Sequence, residues 1–181
     1  MPPQQAQLKP ATKLRHLPDY LRPGLDVVFV GINPGLASAA AGHHYAGRTN
    51  HFWPLLHEAG FVPVPVTHED DRRMPAYGIG LTNLVDRPSR GLDDLSRSEL
   101  LAGAERLRAK LRRYRPRAVC FNGKAIAEAF LGGRCALGRQ PDWEGLLVYV
   151  MPSTSARGAS YQRADKLRCF RELRRLLEAR R

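Results

Sequence analysis

Residues 27–35 read Val-Val-Phe-Val-Gly-Ile-Asn-Pro-Gly. A short apolar run of this kind fits a strand buried on both faces, as in a parallel sheet. It breaks at once into a Gly-Ile-Asn-Pro-Gly turn, which fixes one polar side chain, Asn33, at the strand's carboxyl end. In an open α/β sheet, ligands bind outside the carboxyl ends of the strands. Residues 148–157 repeat the arrangement, with Val-Tyr-Val-Met followed by Pro-Ser-Thr-Ser-Ala-Arg.

The same rhythm extends along the chain. Phe52, Leu55, Leu56 and Ala59 recur at helical spacing over 50–60, with Pro54 in the first turn and Gly60 as a stop. A loop carrying Pro63, Pro65 and Pro75 leads to a short apolar run over 79–85. Ser96 and Glu99 have the spacing of a capping box, and Leu100, Ala104, Leu107, Leu111 and Tyr114 then share one helical face. A strand over 117–121 ends in Asn122-Gly123-Lys124 and opens a helix to about Leu131. A strand over 146–150 precedes a helix over about 162–179, with Leu167, Phe170, Leu173 and Leu177 inward.

Strands alternating with helices predict one three-layer α/β/α domain on a mainly parallel central sheet. Each distinctive polar segment falls just after a strand, so one site along one sheet edge is expected. Residues 1–20 are polar and basic, with Pro2, Pro3 and Pro10 and no apolar period. They read as a mobile tail before a folded domain over 21–181.

Composition narrows the function classes. At 181 residues, 43% hydrophobic and 25% charged, the chain can bury a proper core, and disorder is not the default. Lys and Arg number 29 against 17 acids, a net charge of +12, which suits a polyanion: nucleic acid first, an anionic membrane surface second. No stretch approaches about 18 apolar residues and no signal peptide opens the chain, so a soluble intracellular protein is expected, cytoplasmic and nucleoid-associated in a bacterium or nuclear in a eukaryote. Cys120, Cys135 and Cys169 form no Cys-x-x-Cys, which argues against a disulfide framework or a zinc ribbon. His43, His44 and His51 lack the spacing and fourth ligand of a zinc site. Neither a metal nor a cofactor is expected.

Two segments suggest chemistry. Residues 42–53, Gly-His-His-Tyr-Ala-Gly-Arg-Thr-Asn-His-Phe-Trp, crowd aromatics, histidines and amides after the first turn. Such a segment can build a flat wall that stacks a planar base. Met151-Pro152-Ser153-Thr154-Ser155-Ala156-Arg157 is a small-residue loop ending in a cation. A loop of that kind can enter a duplex and occupy the space of an extruded nucleotide.

Taken with Gly31–Leu36, Gly42–Tyr45, Asn50–Trp53, Tyr77–Asn83, Leu84–Arg87, Tyr114–Arg117, Phe121–Lys124 and Tyr149–Arg157, these segments resemble the mismatch-specific uracil/thymine DNA glycosylases. They occur in that family's order and span about residues 21–178. Thr154 and Ser155 stand where the bacterial version of the family has a Gly-Leu pair, so an apolar wedge is not implied.

The resemblance implies a uracil-DNA glycosylase-like fold and a monofunctional, monomeric enzyme acting on double-stranded DNA, with no membrane partner. It would hydrolyse the N-glycosidic bond of uracil, or of thymine and modified pyrimidines, opposite guanine. Asn33 would position the attacking water. Ile32, His44, Tyr45 and Asn83 would form the base pocket, with Tyr45 stacking on the flipped base. Asn122, Lys124 and Ser153 would hold phosphates, and Ser155, Ala156 and Arg157 would form the intercalating loop, Arg157 its plug. Asp93 is a candidate auxiliary carboxylate beside Asn33. A non-catalytic mismatch- or nucleotide-binding module is the alternative that the residues leave open.

Overall fold

The structure, a computed structural model, describes residues 14–156 and 160–180. Five strands form one sheet: β1 (Val27–Gly31), β2 (Ile79–Asn83), β3 (Ala118–Asn122), β4 (Gly138–Trp143) and β5 (Leu146–Met151). Their order across the sheet is β2-β1-β3-β5-β4, parallel throughout except at β4. The chain therefore leaves β1 toward one edge, returns, and continues on the other side. That reversal sets the connections after β1 and β3 apart and opens a crevice between them. Asn33 and Gly123 flank it.

The helices are α1 (Leu36–Ala41), α2 (Phe52–Glu58), α3 (Arg97–Tyr114), α4 (Lys124–Leu131) and α5 (Arg163–Glu178), with 3₁₀ turns at His68–Tyr77 and Leu92–Asp94. Alternate residues of β1 feed opposite layers. Val27 and Phe29 pack with Phe52, Leu56 and Met74 on the side of α2 and α5, where Phe170 and Leu173 close the layer. Val28 and Val30 pack with Ala104, Leu107 and Leu111 of α3 and Phe130 of α4. Each such fully buried side chain contributes about 1.5–3 kcal/mol relative to exposure. A strand lined this way is held in register from both sides, which fixes the direction of the turn that follows.

The capping box at the start of α3 forms as its spacing predicts: Glu99 N–H donates to Ser96 Oγ, and Ser96 N–H donates to Glu99 Oε2. The antiparallel strand β4 is a departure from the expected pattern. Its sequence, Gly-Arg-Gln-Pro-Asp-Trp, is polar and partly exposed, and it exists through a tight hairpin with β5. Glu144 and Gly145 both take positive φ there, +48° and +84°, as a two-residue hairpin turn requires.

The expected start of the folded domain at Leu21 is too late. Tyr20 exchanges backbone hydrogen bonds with Leu81 of β2, and Arg15 N–H donates to Ala39 O. Asp19 accepts from Thr82 and pairs with Lys110 at 2.7 Å. Residues 1–13 of the expected tail lie outside the described residues. Among the described residues no helix is long and apolar enough to cross a membrane.

Candidate active site

The turn after β1 is stitched to the loop after β2. Leu84 and Val85 donate to the carbonyls of Gly31 and Ile32, and Ser89 N–H donates to Pro34 O. Asn33, 9% exposed, then spends both amide hydrogens on that loop: Nδ2 donates to Arg87 O at 2.8 Å and to Ser89 Oγ at 2.8 Å. Ser89 Oγ passes its own hydrogen to Gly91 O at 2.8 Å. Because the Arg87 carbonyl can only accept, the amide has one orientation. Its Oδ1 takes no donor among the described residues, so it is the atom offered to a ligand or water.

Arg87 carries the arrangement outward. Its guanidinium forks onto Glu99 at 2.8 and 3.1 Å and onto Asp94 O at 2.8 Å, tying the loop to the start of α3. That charge-assisted fork holds the Glu99 carboxyl down to about 2. Asp93 lies exposed in the 3₁₀ turn Leu92–Asp94 and takes no part in the Asn33–Ser89–Gly91 chain.

Asn83, buried at the end of β2, stands over Gly31 of β1, its partner in register. A Cβ at Gly31 would lie 2.5 Å from Asn83 Oδ1 and 3.4 Å from Tyr45 Oη, so the Asn83 amide keeps its place only because residue 31 has no side chain. The Asn83 amide makes no side-chain hydrogen bond among the described residues. Tyr45 has φ +54°, an uncommon conformation for so bulky a residue. Its ring stacks on Phe52 with centroids 4.0 Å apart, and the residue as a whole is half-buried. Its hydroxyl is sealed in on the side of Asn122 without a hydrogen bond of normal geometry, and burial raises its pKa. Ile32 is half-buried, and its carbonyl serves the β1–β2 stitching.

Two expected roles are corrected. His44 does not face an open pocket. Its buried ring bonds Pro18 O at 2.8 Å through Nε2 and packs edge-on to Tyr20, while its backbone N–H donates to the buried Asp71. A neutral imidazole that donates from Nε2 satisfies this contact, and burial lowers its pKa. Asn122 is likewise consumed internally. Its Nδ2 donates to Thr154 Oγ1 at 2.8 Å while Thr154 N–H donates to Asn122 Oδ1 at 2.9 Å. Both groups are buried, so Asn122 shapes the loop after β5 and does not present a free amide to a phosphate.

That loop is anchored at successive residues. Thr154, fully buried, also accepts from His51 N–H, and Ser155 O accepts from Lys166 Nζ at 3.1 Å. Around it, the His51 imidazole is kept below its usual pKa by burial and by the charges of Lys166 and Arg163. Ser153 and Ala156 are exposed, and Ser153 Oγ accepts from Ser155 N–H. Lys124 opens α4 beside them, its ammonium only loosely paired with Glu128 at 3.8 Å. A Cβ built on Gly123, the residue before α4, would lie 4.0 Å from Ser153 Cβ, so the loop after β5 borders the start of that helix. Arg157 lies outside the described residues.

Ser89 and Lys166, which bond Asn33 and the loop after β5, were not singled out in the sequence, and Thr154 was read there only as a loop residue. Ser89 sits in a polar loop with nothing to mark it, and nothing local marks Thr154 as the partner of Asn122. Lys166 carries a visible signal, a lysine four residues ahead of Phe170 on an otherwise apolar helix stripe.

Comparison with known proteins agrees with this architecture. A solution NMR structure from Methanosarcina acetivorans, described as a candidate uracil DNA glycosylase, matches with a TM-score of 0.59 at 19% identity, over 88% of this chain and 98% of that one. That likeness speaks to the fold. The sequence itself matches the family model of the uracil DNA glycosylase superfamily over residues 18–178, from the segment held by His44 to the end of α5. With the crevice, the turn and the loop all inside that span, the chain belongs to the uracil DNA glycosylase superfamily.

Proposed function

We propose that the protein is a monofunctional DNA glycosylase that removes uracil mispaired with guanine from double-stranded DNA, with thymine and modified pyrimidines as further substrates. The observation that carries this reading is the orientation of Asn33. With both amide hydrogens committed to Arg87 and Ser89, Oδ1 is left to accept a hydrogen from water and aim that water's oxygen at the sugar C1′.

Water attacks C1′ as the N-glycosidic bond breaks, and the bonding pair leaves with the base. The proton lost by the water passes to solvent, and the departing base takes one up. A carboxamide cannot act as a base at neutral pH. Asn33 therefore contributes position, and the rate depends on how well the base carries negative charge. Uracil should leave faster than thymine, and both faster than cytosine. Fixed polar groups of this kind are worth on the order of 10²–10³ in rate.

Recognition follows from the same geometry. The extruded base lies against the Tyr45 ring, and the Asn83 amide, with no side-chain partner among the described residues, offers a donor and an acceptor to its edge. Lys124, Ser153 and the start of α4 hold the flanking phosphate, while Ser155, Ala156 and Arg157 fill the vacated stack.

The test is incubation with an end-labelled G·U duplex, followed by alkaline cleavage at abasic sites. Strand breaks should appear with wild type and almost vanish with Asn33→Ala, which should still bind the duplex. Tight duplex binding by wild type without any abasic product would overturn the reading.

A further inference from the structure

The inner stripe of α5 runs Lys166, Phe170, Leu173, Leu177, a spacing of four, three and four that places all of them on one helical face. Three of these close the core against Phe29 and Phe52. The fourth is a lysine only 2% exposed, at a position where the pattern calls for an apolar side chain. Burying an ammonium is unfavourable unless it is well partnered. Lys166 has one acceptor among the described residues, Ser155 O at 3.1 Å, and its pKa is lowered by burial. A polar residue that breaks the local pattern in this way is expected where function demands it.

The acceptor indicates what that function is. Thr154 is already fixed by Asn122 from β3 and by His51 from the start of α2. Lys166 adds an anchor from a third element at the next residue, after which Ala156 emerges exposed. The described part of the loop is thus anchored at Thr154 and Ser155 and exposed at Ala156.

We infer that Lys166 is a positioning residue for duplex probing: it holds the Ser153–Ala156 loop in the shape that fills the stack once a base has been extruded. The inference rests on the glycosylase reading. A loop ordered in advance loses less conformational freedom on entering the duplex, so the extruded state is more populated. Lys166 touches neither base nor sugar, and its loss should act on extrusion, with the chemical step following in proportion.

The experiment uses a duplex carrying a non-hydrolysable 2′-fluoro-deoxyuridine opposite guanine, with 2-aminopurine beside it to report extrusion. Lys166→Met keeps the length and removes the donor. The extrusion equilibrium constant should fall about tenfold, the size expected for one hydrogen bond to a charged group. Single-turnover excision at G·U should fall in parallel, while melting temperature holds or rises and affinity for undamaged duplex is unchanged. Lys166→Gln, which restores a neutral donor, should recover part of the loss. Wild-type extrusion by Lys166→Met overturns the inference, as does a lowered melting temperature with equal losses on damaged and undamaged DNA. A wild type that neither extrudes nor excises would instead remove the glycosylase reading beneath it.

Discussion

Asn33 and Ser89, 56 residues apart in sequence, are joined by a 2.8 Å hydrogen bond in which the amide donates and the hydroxyl passes its own hydrogen on to Gly91 O. The direction of donation matters more than the contact itself. It makes the loop after β2 responsible for which end of the Asn33 amide faces the crevice.

Replacing Ser89 by alanine removes one acceptor and leaves the Arg87 carbonyl to orient the amide alone. Loss of one buried hydrogen bond of about 1–1.5 kcal/mol predicts a fall of roughly tenfold in kcat with KM little changed. Steady-state kinetics on a G·U duplex measure this. A change confined to KM would mean that Ser89 contacts DNA instead.

Asn33→Asp is predicted to be worse for the fold than Asn33→Ala. A carboxylate oxygen would replace Nδ2 at 2.8 Å from the Arg87 carbonyl, an acceptor against an acceptor. The expected penalty is about 1–3 kcal/mol at pH 7. It should shrink on acidification as the carboxyl takes a proton and becomes a donor again. Melting curves of both variants between pH 5 and 8 decide it; parallel curves would contradict the donor assignment.

The Asn122–Thr154 pair gives a test of structure against phosphate binding. Asn122→Ala strands the buried Thr154 N–H and Oγ1, and Thr154→Val strands Asn122 Nδ2. Each should lower stability by about 1–3 kcal/mol, and the double variant by less than the sum, because the two residues share one interaction. Unchanged melting with a weaker salt dependence of DNA binding in Asn122→Ala would return Asn122 to the phosphate role that its position at the end of β3 suggests.

This correction shows where sequence reading reaches its limit. The unbroken apolar run of β1, the capping box at Ser96 and Glu99, and the apolar stripe of α5 are local patterns, and each was legible. Asn33 and Asn83 were legible as polar residues just after or within neighbouring strands, and Tyr45 as an aromatic in the loop before α2. What Asn122 does depends on Thr154, 32 residues away, and what His44 does depends on Pro18, 26 residues before it. Nothing local marks a carbonyl such as Arg87 O as an orienting group. Strand β4 escaped because its polar residues and Pro141 have no strand period; pairing with β5 makes it a strand.

His44 gives a prediction in pH. Its folded pKa lies below the ordinary 6.5 because the ring is buried, so the folded state binds fewer protons than the unfolded chain. Stability should therefore be full above about pH 6.5 and decline as pH falls below it, by at most about 1.4 kcal/mol per pH unit from this group. His44→Gln retains a donor for Pro18 O but cannot titrate. Its stability should fall less steeply than wild type between pH 6.5 and 5 in urea denaturation; matched slopes would assign the acid sensitivity to other groups.

Gly31→Ala separates recognition from folding. Gly31 lies in a strand with backbone angles open to alanine, since it is absent from the positions with left-handed φ. The difficulty is the 2.5 Å approach of the new Cβ to Asn83 Oδ1, a contact that cannot persist. The Asn83 amide has no other partner to hold it, so it should swing aside and leave the backbone in place. Stability then changes little, while the base edge loses its donor and acceptor together. A pair of hydrogen bonds to a buried edge predicts a loss on the order of 10² in kcat/KM at G·U. Asn83→Ala should produce a similar loss, and the double variant should be no worse than either alone, because both remove the same contact. Additive losses would mean that Gly31 and Asn83 act separately, and that the space over Gly31 serves the Tyr45 ring instead.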